Sequence, residues 1–224
     1  MNSEALPEFV TELSPGLFRY DCEQGCEDWF AARLGIPTAS MFKTVMASGK
    51  DGGESKTRSE YMRKLVGERI TGTVQEGYRG AAMERGNGME AELRGLYSLI
   101  SGNEPQLVGF FKRKMPSGYF IGASPDSLVG KHGALEIKSA APHILIDILR
   151  ADKVPPEHMP QVQGSMLVGG FGFVDLAIGY RGMPMFRRTV ERDDAYIKKL
   201  TDALDAFNEE LDKLERWVRN YGKM

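Results

Sequence analysis

GASPDSLVGKHGALEIKSA, Gly122 to Ala140, decides the fold of this 224-residue chain. DSLVG and GALEIKS are short, bounded by glycines and rich in branched residues, so each reads as a strand. GKHG, Gly130 to Gly133, is a turn that brings SPDSLV back alongside ALEIK. Glu136 and Lys138 stand two apart on their strand and leave the same face, while Leu135, Ile137 and Ser139 point the other way. The turn brings Asp126 near the face that carries Glu136. Two carboxylates and an ammonium thus converge on strands that the chain must bury.

Left unpaired, such a cluster is costly to bury, and a hard divalent cation offsets that cost. Mg²⁺ takes oxygen ligands and keeps waters that can be activated. Asp126 and Glu136 supply two of those oxygens, the Ile137 carbonyl completes the protein's share, and Glu90 on a preceding helix is available as a further acid. A lysine beside the carboxylates favours phosphodiester hydrolysis over other metal chemistry, because its ammonium orients the attacking water and offsets charge developing on the phosphate.

Outward from this hairpin, the first half of the chain reads as mostly helical. CEDWFAARLG places Trp29, Phe30 and Leu34 on one side with Gly35 as a stop. TASMFKTVMASG opens at a Thr38 cap and closes at Gly49. KDGGESKTRS is a polar, glycine-rich loop, and the sequence assigns no role to residues 50–57. SEYMRKLVGERITG and RGAAMERGNGMEAELRGLYSLISG carry apolar residues at helical spacing. The glycines of GNG, Gly86 to Gly88, follow no strand, which rules out a dinucleotide-binding loop. Beyond Gly102 the pattern turns to strands, QLVGFFKR and GYFIGAS leading into the hairpin. A helix in PEHMPQVQGSMLVGG follows, then strands in FGFVDLAIGY and PMFRRTVE. A long amphipathic helix from about Asp193 to Tyr221 closes the chain, striped by Ile197, Leu200, Leu204, Phe207, Leu211, Leu214 and Trp217. The expected fold is α/β, with a central mixed sheet flanked by helices. The expected organisation is a single nuclease domain over residues 1–224, with an acidic N-terminal extension at 1–25.

Composition narrows the partners. The chain is 42% hydrophobic and 27% charged with net charge −2, so no basic coat grips nucleic acid indiscriminately. The charge is uneven, however. Residues 1–28 hold seven acids against Arg19, leaving 28 bases and 24 acids in the rest, with basic groups at FKRK (Phe111 to Lys114) and FRR (Phe186 to Arg188). Phosphate binding depends on where such charges sit, so a concave basic surface is compatible with this balance. Cys22 and Cys26, with three histidines in the chain, fall short of a closed zinc site and read as reduced thiols. No apolar run approaches the roughly 18 residues of a membrane span, and MNSEALPEFVTELSPG is no signal peptide. A cytoplasmic protein is expected.

Four separated segments resemble one known family, the lambda-exonuclease or YqaJ-like viral recombinases within the PD-(D/E)xK nucleases. These are WFAARLGIPTAS, RGNGMEAE, SPDSLVGKHGALEIK and MPQVQGSM, and the resemblance covers roughly residues 26 to 215. It implies a restriction-endonuclease-like core and a Mg²⁺-dependent 5′-to-3′ exonuclease acting on double-stranded DNA ends, with Mn²⁺ as a substitute metal. It also implies a ring-shaped homotrimer working beside a single-strand annealing protein, encoded by a phage or prophage in a bacterial host. By position, Asp126 and Glu136 resemble the metal ligands, Lys138 the water-orienting lysine and Glu90 an assisting acid. Gln163 resembles the glutamine beside the attacking water and scissile phosphate. Arg33, Ser40 and Ser124 resemble the pocket that grips a terminal 5′-phosphate, a task suited to the planar fork of arginine. Two other readings use the same fold: a DNA endonuclease or resolvase, and a DNA-binding module without catalysis.

Overall fold

The computed structural model describes residues 6–49, 55–74 and 81–223, and side chains in the helix that opens at 81 from residue 88 onward. Its N-terminal elements are β1 (Val10–Ser14), β2 (Leu17–Tyr20), α1 (Glu27–Arg33), a 3₁₀ turn (Ala39–Met41), α2 (Phe42–Val45), α3 (Lys56–Thr71) and α4 (Ala81–Ser101). Four strands follow, β3 (Phe110–Lys114), β4 (Phe120–Ala123), β5 (Ser127–Val129) and β6 (Gly133–Ser139). The remainder is α5 (Pro142–Ala151), α6 (Met159–Gly169), β7 (Phe173–Gly179), β8 (Phe186–Glu191) and α7 (Asp194–Asn220).

Two four-stranded sheets result. The first has the order β1-β2-β3-β4 and is antiparallel throughout. The second, β5-β6-β7-β8, is mixed: β5 and β8 run antiparallel to their neighbours, and β6 pairs parallel with β7. A parallel pair needs a long crossover, and α5 and α6 supply it. The chain passes from the first sheet to the second through Ser124, Pro125 and Asp126, between β4 and β5. One apolar cluster joins the layers, with Phe111 and Ile121 from the first sheet, Leu176 and Ile178 from the second, and Leu204 and Phe207 from α7.

Local chemistry explains several boundaries. Ser55 accepts the Arg58 N–H at the start of α3, and the Asp193 carboxylate accepts the Tyr196 N–H at the start of α7. The helix α6 is buried on nearly every side, from Val162 to Val168. Gly164 is required there by packing, because a Cβ would overlap the Phe42 ring.

Four sequence expectations are corrected. Residues 10–20 are not a bare acidic extension. They form β1 and β2, and β2 pairs with β3, so apolar positions such as Val10 and Leu17 are buried under the acidic composition. The helix expected from Thr38 to Gly49 shrinks to a 3₁₀ turn and the single turn of α2; Thr38 makes no side-chain cap and instead bridges to Gly122 of β4. Of the expected loop, residues 50–54 lie outside the described residues, while Lys56 and Thr57 already belong to α3. A helix not expected, α5, occupies PHILIDILRA, buries Leu145 and leaves Ile144 and Ile146 exposed. The terminal stripe holds from Ile197 to Leu211 and runs out at Trp217, which is exposed. Among the described residues, no helix is long and apolar enough to cross a membrane.

Candidate active site

β6 aims Glu136 and Lys138 toward the N-terminal turn of α6, as the two-residue spacing requires. Glu136 is 2% exposed. Its Oε1 accepts from Lys138 Nζ at 2.6 Å and from Gln161 Nε2, and its Oε2 is buried with no partner. Asp126 lies beside this strand at the crossing between the sheets. Its backbone N–H donates to Leu135 O at 3.1 Å, and its Oδ2 accepts from the Ile137 N–H at 2.6 Å. The sequence-predicted trio is therefore brought together by one hairpin.

The electrostatics follow from that crowding. Burial, then the Glu136 and Glu90 charges, push the Asp126 carboxyl well above the usual carboxylate range, against the opposing pull of Lys138 and the Ile137 N–H. Burial disfavours the Lys138 ammonium, but Glu136, Asp126 and Glu90 outweigh it and raise the pKa. Lys138 is thus held as a cation among three acids.

Glu90 reaches the cluster from α4, tethered through Arg94. That guanidinium bonds Glu90, donates to Ser127 Oγ at 3.0 Å, and reaches the Asp126 carbonyl at 3.4 Å. One arginine, which the sequence did not single out, thereby fixes α4 to the segment carrying Asp126. The spacing of four between Glu90 and Arg94 was its only signal.

Gln163 is not at this site. It is fully buried, with Nε2 donating to Glu191 O at 2.9 Å and Oε1 accepting from the Asp193 N–H at 3.0 Å. Residues two apart on a helix face roughly opposite directions, so Gln161 rather than Gln163 faces Glu136. His158 ends a 3₁₀ turn before α6; burial first, and then the Lys138 charge, lower its pKa.

The expected phosphate pocket is assembled in part. Arg33 lies over the Trp29 ring, 4.0 Å from its centre, and its Nη1 donates to Ser124 Oγ at 3.2 Å. Trp29 Nε1 donates to the same hydroxyl at 2.9 Å. Ser40 is exposed in the 3₁₀ turn Ala39–Met41, its hydroxyl 3.4 Å from that of Thr38. A small cavity beside Arg33 is also lined by Thr38, Tyr61, Lys64 and Glu68. Burial first depresses the Lys64 ammonium; Glu68 raises it and the Arg33 charge lowers it further. Lys64 is thus a second cation of this pocket, invisible in a sequence that places it 31 residues away on α3.

The donor set suits a hard cation. Among the described residues no three His, Cys, Asp or Glu side chains close around a common point. Two carboxylates, one with an orphaned buried oxygen, and a nearby backbone carbonyl leave open positions for water and substrate, as Mg²⁺ prefers.

Comparison with known proteins identifies the family. The YqaJ-like viral recombinase domain matches residues 28–172. The crystal structure of an alkaline exonuclease (LHK-Exo) from Laribacter hongkongensis is 33% identical, with a TM-score of 0.76 over 87% of this chain and 97% of that one. The same values hold for LHK-Exo in complex with dAMP. A phage-related exonuclease from Haemophilus somnus 129PT shares the fold at 14% identity and TM-score 0.59, over 82% of this chain and 96% of that one. No curated protein sequence matches. The family match contains the hairpin, the Trp29 and Arg33 segment and α6 together, and on that ground the chain belongs to the YqaJ-like viral recombinase family.

Proposed function

We propose that this DNA exonuclease of the YqaJ-like family is Mg²⁺-dependent and degrades one strand of double-stranded DNA from its 5′ end. It releases 5′ mononucleotides and leaves 3′ overhangs for recombination by strand annealing. The observation that carries the metal requirement is the orphaned Glu136 Oε2, buried beside a second carboxylate whose charged form is disfavoured until a cation joins it. Asp126, Glu136 and the Ile137 carbonyl are the groups that would hold Mg²⁺, with Mn²⁺ as a substitute. When bound, the cation polarises the phosphate and acidifies a water.

The chain's own residues supply the rest. Lys138 orients the attacking water and balances charge on the phosphate, and Gln161 restrains Glu136 Oε1. Glu90 adds negative charge from α4. Water forms the new P–O bond, the bond from phosphorus to the 3′ oxygen breaks, and that oxygen leaves with a proton as the 3′-hydroxyl of the released nucleotide. The remaining strand then carries a new 5′-phosphate for Arg33, Lys64, Ser124 and Ser40.

An anchor and a cut site on one segment support this direction and product size. Ser124 and Asp126 are two residues apart, about 7 Å of extended chain, a spacing on the scale of one nucleotide step. A 5′-phosphate held at Ser124 therefore sets the next phosphodiester near Asp126. The dAMP bound by LHK-Exo is a mononucleotide of that kind. We further propose a homotrimer working with a single-strand annealing protein in the cytoplasm of a bacterial host.

The test is digestion of a linear duplex labelled separately at its 5′ and 3′ ends, with Mg²⁺ and with EDTA. Early metal-dependent release of 5′-labelled mononucleotide is expected. Cutting of a covalently closed circle would move the assignment to an endonuclease, and silence on both substrates would leave a binding module.

A further inference from the structure

The run FKRK, Phe111 to Lys114, concentrates three cations on one strand, and the reaction uses none of them. The pleat of β3 divides them. Lys112 lies 5.0 Å over the Phe120 ring. Arg113 turns with Phe111 toward α6, where Phe111 meets the Phe171 ring edge-on at 5.2 Å. There, Arg113 Nε donates to Val168 O at 2.7 Å, and Arg192, just past β8, donates to Met166 O at 3.2 Å.

Two guanidiniums thus meet at the last turn of α6. Cations suit the carbonyl end of a helix, but that role occupies a single nitrogen of Arg113. Arg192 has Asp194 as its acid; among the described residues no carboxylate bonds Arg113. Burial and the Arg192 charge both disfavour its charged form. The remaining surroundings are mostly apolar: a groove of about 950 Å³ passes both arginines, walled by Met115, Pro116, Leu167 and Phe171, with Lys114 and Thr201 also lining it.

This groove lies away from the chemistry. Gly172, in its wall, donates to His132 O just before β6 begins, whereas Lys138 is near the other end of that strand, about 20 Å on. Gly170 and Gln161 are likewise at opposite ends of α6, about 13 Å apart.

We propose that this groove docks an acidic, apolar segment of a partner protein, with a peptide carboxylate paired to the open edge of Arg113 and neighbouring apolar side chains against Leu167 and Phe171. Charge complementarity selects the acid, since a half-buried arginine lacking an acid gains a charge-assisted, bidentate partner. The wall selects peptide over nucleic acid, because Met115, Pro116 and Leu167 suit aliphatic side chains, whereas bases stack on open aromatic faces and Phe171 is buried against Phe111. The partner stays attached during digestion because the groove lies at the far ends of β6 and α6 from Lys138 and Gln161. Nothing in this docking depends on the metal.

The test uses a fluorescein-labelled ten-residue peptide alternating aspartate with leucine and phenylalanine. Comparators replace its aspartates by lysine or its apolar residues by serine, and a labelled ten-nucleotide single strand is run in parallel. Anisotropy should show binding of the acidic, apolar peptide alone, weakened at least about tenfold by Arg113→Gln and by Thr201→Trp, with the rate of duplex digestion unchanged. Thr201→Trp fills the groove from α7 without touching the helix cap, so it decides the matter should Arg113→Gln fail to fold. Absent binding, or equal binding to both variants, overturns the proposal. So does single-strand binding lost in the same variants, which would make the ligand nucleic acid, or an altered sedimentation coefficient for Thr201→Trp, which would make the groove a contact between copies.

Discussion

With the proposed role of Asp126 as a metal ligand, this residue sets function against stability. Its folded pKa is raised, so the stability it confers is full below the unfolded carboxylate value and is lost as pH rises through the folded value. Asp126→Asn keeps an oxygen to accept the Ile137 N–H and deletes the charge. In EDTA at neutral pH it should melt a few degrees above wild type, with the gain vanishing toward acid pH; with Mg²⁺ present, digestion should fall by roughly a thousandfold or more. A lower melting point would show that the carboxylates do not repel in the folded state. The two glutamines of α6 separate along the same line. Gln163→Ala strands the Glu191 carbonyl and the Asp193 N–H, costing about 2 kcal/mol or more in urea denaturation. Gln161→Ala should leave stability within about 1 kcal/mol and slow digestion about 10- to 100-fold. Equal stability losses would overturn that division. The hairpin trio was legible in the sequence because strand period and a turn suffice to bring Asp126, Glu136 and Lys138 together. Gln161 and Gln163 were not distinguishable, since both lie in an apolar helix whose burial on all sides erases any periodic cue to its facing.

Elements, more than single residues, hold this site in place, and α4 shows how. Apart from its apolar packing on β6 and β7, it is attached to the start of β5 by Arg94, which spans Glu90, Ser127 and the Asp126 carbonyl. Arg94→Met keeps the aliphatic bulk and removes the bridge. Digestion should fall about 10- to 100-fold, with apparent Mg²⁺ affinity lowered and partial rescue by Arg94→Lys; an unchanged metal titration would reduce Arg94 to a surface ion pair. On the opposite side, α3 and α7 are joined by Arg58 to Glu210 and by Arg69 to Asp212 and Glu215, partly exposed contacts that add little beside the stacked Tyr61 and Phe207 rings. Helices α1, α3, α4, α6 and α7 were legible because apolar spacing, caps and terminal glycines agree. β1 and β2 were not, since four and five residues of alternating pattern inside an acidic segment carry less signal than its charge. α5 was hidden by a run of isoleucine and leucine that suits strand and helix alike.

At the scale of the whole molecule, a chain of net charge −2 must hold DNA long enough to digest it. The cations at the proposed end-binding pocket are few, Arg33 and Lys64 among them, so phosphate contacts alone give a shallow dependence on salt and a short stay. Enclosure by a ring removes that limit, because escape then requires the ring to open or the duplex to end. The proposed trimer accordingly separates two quantities that an open monomer would link. After digestion starts, excess unlabelled duplex is added at salt between 50 and 200 mM, the range over which ionic contacts weaken markedly. Association should slow with salt, while the nucleotides released per binding event stay constant until the duplex is exhausted. A run length that shortens in step with association, together with a monomer in sedimentation at the same concentration, would remove the ring and leave the stay on DNA to the contacts at Arg33 and Lys64.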